Sequence, residues 1–129
     1  MVDKRAVNPW TWQGQRFTQA WRIEDPATVI FASGQGPIDA DGKLVGDGDF
    51  ETQVRKTFEN IQTLLAESGA SWADVVKLNV YVTDIGQLAT YGRVKAEFIS
   101  GEQPASTAVG VTALALPGML VEVEAVAVR

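Results

Sequence analysis

The stretch that decides the fold runs from Asp49 to Thr83, DFETQVRKTFENIQTLLAESGASWADVVKLNVYVT, and its hydrophobic period changes partway along. In the first part Phe50, Val54, Phe58, Ile61, Leu64 and Leu65 recur at spacings of three and four, the pattern of a helix with one apolar stripe. Asp49 stands where a helix cap belongs and Gly69 where a helix stops. From Val75 the period drops to two, with Val76, Leu78, Val80 and Val82 alternating against Lys77, Asn79, Tyr81 and Thr83. An amphipathic helix feeding a strand with one core face predicts a sheet covered by helices on one side.

Toward the N-terminus, FTQAWRI (17–23) and TVIFAS (28–33) read as a hairpin through EDPA, because Pro26 fixes its own φ and biases its predecessor away from helix. Toward the C-terminus, Asp84 can cap a second, less regular helix through QLATYGRVKAEFI, interrupted by Gly92. Ser106–Ala113 and Leu120–Val128 read as two final strands separated by a Pro117-Gly118 turn. The predicted order is ββαβαββ, an α+β domain over residues 1–129 with two helices on one face of a single sheet.

In the last of these strands Val121, Val123, Ala125 and Ala127 share the side the helices cover, while Leu120, Glu122, Glu124, Val126 and Val128 share the other. That second side is too apolar to be left in water. On the strand read as its neighbour, Ser106, Ala108, Gly110 and Thr112 make a row small enough for another backbone or a ligand to approach. Association through the uncovered face, with ligand clefts where subunits meet, is the expected outcome.

Composition narrows the chemistry. The 129 residues carry a net charge of −5, which repels a phosphate backbone, so no nucleic-acid partner is expected. There is no cysteine and no histidine, which excludes thiolate nucleophiles, the usual serine triad base and the commonest metal ligands. Proton transfer falls to carboxylates, lysine, tyrosine or water. DADGKLVGDGD has the wrong spacing for a calcium loop, and SGQGP lacks the third glycine of a dinucleotide fingerprint, so both read as turns and neither a metal nor a cofactor is expected. The start lacks the apolar core of a signal peptide and no apolar run is long enough to cross a bilayer, so a soluble, cytoplasmic protein without membrane contact is expected. Trp10, Trp12, Phe17 and Trp21 crowd together near Arg16; packing is the commoner use of such rings, with Phe17 and Trp12 placed to line a cleft.

The segments ASGQGP, DADGKLVGDGDFETQVRKTFENIQTLLAESGASWADVVKLNVYVTDI, QPAST and VEVEAVAV resemble, in this order and spacing, the RidA (YjgF-like) family, over most of the chain from about Phe17. The resemblance implies a chorismate-mutase-like fold and a homotrimer with clefts between subunits. It implies hydrolysis of enamines and imines to a carbonyl compound and ammonia. In the family an arginine directly after the Pro-Ala pair forks the substrate carboxylate, and a glutamate on the last strand positions water; these positions are Ser106 and Glu122 here. A family tyrosine at the cleft appears as Phe17 and an asparagine in the second helix as Gly92, whereas Gly34, the backbone at Ala108 and Glu122 are kept.

Serine offers one neutral hydrogen bond where a guanidinium offers two charge-assisted ones. Thr107, beside it, is a further candidate ligand donor, and Glu124 is read as structural. Ser106 is not read as a nucleophile, because no histidine exists and no lysine lies close in sequence to deprotonate it. The chain thus resembles a subgroup without the carboxylate arginine. The expected function is an enamine/imine deaminase acting on something other than the usual short 2-imino acids, with catalytic Glu122 and with Ser106, Thr107, Ala108, Phe17, Gly34 and Gly92 as substrate contacts. The alternative is a non-catalytic ligand-binding or regulatory trimer.

Overall fold

A computed structural model describes residues 2–129 and gives the order β1 (Asp3–Val7), β2 (Ala20–Glu24), β3 (Val29–Gln35), α1 (Phe50–Glu67), β4 (Val75–Val82), α2 (Leu88–Lys95), β5 (Ala105–Gly110) and β6 (Val121–Val128). Short 3₁₀ turns at Trp72–Asp74 and Ile85–Gln87 lead into β4 and α2. Asp49 caps α1 as its position predicts, accepting from the Thr52 amide at 3.1 Å and the Thr52 hydroxyl at 2.7 Å. Those bonds hold the Asp49 carboxyl below the usual aspartate range.

Both helices pack on one face of a four-stranded sheet of order β3-β6-β4-β5. Leu78, Val80 and Val82 on β4 stand opposite Ala125, Val123 and Val121 on β6, and all are buried. Over them Phe58 of α1 meets Trp72, Tyr91 and Phe98 at ring-centroid distances of 5.3, 5.7 and 5.4 Å. Arg55 of α1 reaches Glu97, just past α2, with Nε at 3.0 Å and Nη2 at 2.7 Å from its two carboxylate oxygens, tying the helices together.

The hairpin expected from residues 17–33 does not form. β2 pairs antiparallel with β1, a strand the sequence reading missed, and the two make a separate ribbon. β3 pairs instead with β6, from Val29 opposite Val128 to Gln35 opposite Val123, and backbone bonds between Thr28 and Arg129 extend the pairing. At Asp25 the backbone takes φ 47°, the left-handed region, so the chain turns away rather than folding β3 back on β2. A second correction concerns β5. It is an edge strand running parallel to β4, two places from β6, so its small residues do not lie beside the last strand.

Gln53, fully buried on α1, locks the entry to β6: its Nε2 donates to the carbonyls of Gly46 at 3.1 Å and Gly118 at 2.8 Å, and its Oε1 accepts from the Leu120 amide at 2.8 Å. Gln53→Met keeps the volume and strands all three backbone groups. It should lower the unfolding free energy by about 3 kcal/mol, measured by urea titration, whereas a loss below about 1 kcal/mol would mean that the two loops do not depend on this side chain.

Candidate functional site

The cleft lies at the edge of the sheet, between β5 and the helix that precedes it. It encloses about 720 Å³ and is lined by Gln15, Arg16 and Phe17 from the segment before β2, by Leu88, Ala89, Tyr91, Gly92 and Lys95 from α2, by Ala96, Ile99 and Gln103 after it, and by Ser106 and Ala108 from β5. The α2 residues recur at three- and four-residue spacings, so one face of the helix makes the wall. In register, Ser106, Ala108 and Gly110 stand opposite the buried Leu78, Val80 and Val82 of β4, which turns them toward the helices.

The cleft therefore brings together four of the predicted site residues, Phe17, Gly92, Ser106 and Ala108. Trp12 is not in the lining; 65% exposed, it meets Phe17 edge-on at 5.8 Å. Gly92 sits inside a helix, where glycine costs about 1 kcal/mol relative to alanine. A side chain there would meet nothing within 4 Å, so no internal contact demands the glycine.

Residues the sequence reading passed over also line this wall. The Tyr91 hydroxyl and Gln103 Oε1 are buried without a hydrogen-bond partner, and burial pushes the Tyr91 phenol well above its usual range. Lys95 donates from Nζ to the Arg16 carbonyl at 2.8 Å, and burial lowers its ammonium pKa. No lysine is near Ser106 in sequence, yet α2 carries Lys95 to the same cleft. The spacing of Tyr91 and Lys95 around Gly92 was the available signal: on a helix they share its face.

Glu122 and Gly34 are brought together on the opposite face. The small Gly34 leaves room for the Glu122 carboxylate: a β-carbon there would lie 2.9 Å from Glu122 Cδ, closer than side chains tolerate. Glu122 stands opposite Tyr81, and the face around it carries Glu124, Asn79, Thr107 and Val109. Glu124 Oε1 accepts from Asn79 Nδ2 and from the Tyr81 hydroxyl, both at 2.9 Å. The Tyr81 phenol is held above its usual range, first by that bond and then by burial and by the charges of Glu124 and Glu122. Thr107 points to this face too, its Oγ1 2.9 Å from Lys77 Nζ, so its side chain is parted from that of Ser106. The apolar content differs from the sequence reading: Val128 is buried within the chain, while Phe31, which was not singled out, is 79% exposed.

Ser106 and Glu122 thus lie on opposite faces of one chain, with β4 and the thickness of the sheet between them. Comparison with known proteins identifies the group that shares this architecture. A family model described as Endoribonuclease L-PSP matches residues 14–129, and the chain belongs to that family, the YjgF/RidA family. A RutC family protein of Pyrococcus abyssi is 39% identical, over 88% of this chain and 86% of its own. Among solved structures, the Rid family protein YyfB of Yersinia pestis, described as of unknown function, superposes with a TM-score of 0.88 at 32% identity, covering 98% of both chains. RidA from an Antarctic Psychrobacter species gives 0.74 at 31% identity, over 97% of this chain and 92% of that one.

Gly34→Ala should keep the fold, with stability within about 1 kcal/mol of the parent, because the clashing group is the end of a flexible side chain. It should swing the Glu122 carboxylate away from β3. A crystal structure of the variant with Glu122 unmoved would show that Gly34 does not set its position.

Proposed function

We propose that the protein is a RidA-like homotrimer that hydrolyses an enamine or imine, other than the short 2-imino acids, in clefts completed by a neighbouring subunit. The observation that carries this reading is the division of the site: the cleft holding Ser106 and the carboxylate of Glu122 lie on opposite faces of one sheet, and a second copy can supply the missing half. Exposed Phe31, with Val109, gives the Glu122 face the apolar surface for such a contact.

In the chemistry proposed, an imine lies in the cleft with its C=N carbon toward Glu122 of the adjoining subunit. The carboxylate accepts a hydrogen bond from water and takes its proton as the oxygen attacks carbon, giving a carbinolamine. The proton passes to nitrogen to complete that neutral carbinolamine; the carboxylate then removes the proton of the new hydroxyl and delivers it to the amino group as the C–N bond breaks, so ammonia leaves and the carbonyl compound remains. Family membership supports this reading, and no histidine is needed for any step. The family model's description names a ribonuclease; a net charge of −5 and the lack of histidine argue against that activity in this chain. The second reading, a binding or regulatory trimer without turnover, is favoured by Ser106, Phe17 and Gly92 standing where polar groups are expected.

By light scattering the protein should run near three times its 13.9 kDa chain mass, and Phe31→Asp should shift it toward the monomer. A monomeric wild type at micromolar concentration would end the shared-site reading.

Wild type should barely accelerate ammonia release from 2-iminopropanoate generated in situ. Ser106→Arg, which adds a bidentate carboxylate contact, should raise that rate by about one to two decades, and Glu122→Gln in the same background should remove the gain. Robust wild-type turnover of this substrate would make the arginine dispensable, and an inert Ser106→Arg variant that remains trimeric would favour the binding reading.

A further inference from the structure

We propose that the cleft accepts an organic anion with a sizeable apolar body, and that Arg16 and Lys95, rather than position 106, hold its negative charge. This rests on the cleft being the ligand site, as above, and names the class of ligand it selects.

Charge comes first. Across the chain, 16 acidic side chains outnumber 11 basic ones, yet the cleft lining holds Arg16 and Lys95 and no acid. Both cations keep donors in reserve. Arg16 uses Nε on the Gln13 carbonyl at 3.1 Å and Nη2 on the Trp12 carbonyl at 3.4 Å, out of five N–H groups. Lys95 spends one of three on the Arg16 carbonyl. That bond ties the loop bearing Arg16 to the end of α2, so both residues border the same part of the lining.

The second observation is independent of charge. Tyr91 and Gln103 belong to the same lining, and the Tyr91 hydroxyl and Gln103 Oε1 are buried without a partner, a donor and an acceptor unspent within the chain. Burial also lowers the Lys95 pKa, a cost that an anion seated beside it would offset.

Size and surface complete the description. In a single chain the groove measures about 720 Å³, room for a ligand larger than a three-carbon acid. Leu88, Ile99 and Phe17 give it apolar walls. The anion therefore sits apart from the reacting centre, separated by an aliphatic or aromatic spacer.

Calorimetric titration of the assembled protein with 3-phenylpropanoate and with its neutral counterpart, 3-phenylpropanamide, tests this. The acid should bind at least about tenfold more tightly than the amide. Arg16→Gln and Lys95→Gln should each weaken acid binding about five- to tenfold and leave the amide unchanged. Since Lys95→Gln also removes the bond to the Arg16 loop, Lys95→Arg, which keeps the charge, should retain the preference. Equal binding of the two probes, binding of neither, or an acid preference that survives Arg16→Gln/Lys95→Gln would overturn the proposal. Turnover separates it from the deaminase reading. Glu122-dependent turnover without an acid preference would sink this inference alone, and an acid preference without turnover on any imine would sink the deaminase alone.

Discussion

The alternation of β6, held in register by β3 on one side and β4 on the other, is the constraint on which the rest of the molecule depends. Val121, Val123, Ala125 and Ala127 are buried under the helices, and the intervening Glu122, Glu124 and Val126 are only half-buried. A slip of one residue would drive two carboxylates into the core and four apolar side chains out of it, so the register has no near competitor. Whatever Glu122 does, it must do on the face away from the helices.

The cleft on the helix side follows from the other pairing of β4. β5 runs parallel to β4, and parallel neighbours need a crossover, which α2 supplies. With only eight residues and an interior glycine, α2 reaches β5 without closing over it, and the gap between them is the cleft. The crossover also decides which residues line that gap. Its inner face bears Tyr91, Gly92 and Lys95, and the strand it delivers bears Ser106 and Ala108.

Where a segment has one buried face, the sequence could be read directly. The cap at Asp49, the stripe on α1 apart from the exposed Leu64, and the alternation of β4 and of β6 as far as Ala127 agree with the structure, because burial of one face leaves a period that local inspection detects. The N-terminal pairing did not. Residues 17–33 look like a hairpin because sequential strands usually pair, but β3 is claimed by the distant β6, and β2 by β1, whose sequence Asp-Lys-Arg-Ala-Val has little apolar pattern to announce it. For the cleft, the family positions named Phe17, Gly92, Ser106 and Ala108, yet Arg16, Tyr91, Lys95 and Gln103 gain meaning only when the α2 crossover packs against the 15–17 segment. That Ser106 and Glu122 face opposite ways depends on β5 neighbouring β4, a choice of topology that no local pattern encodes.

Glu122 and Glu124 show how the same residue type on one strand face is put to different uses. Glu124 is engaged by Asn79 and Tyr81, and removing it would leave an amide and a phenol without their shared acceptor. Neither of those bonds goes to Glu122, whose carboxylate instead occupies the space that Gly34 leaves free on the neighbouring strand. An anchored carboxylate fixes the surrounding face, and one set against a bare backbone can turn toward whatever approaches that face. The anchored residue thus fixes the face on which its neighbour stands, and it is the carboxylate left without an anchor, Glu122, that we propose meets a ligand carried by another subunit.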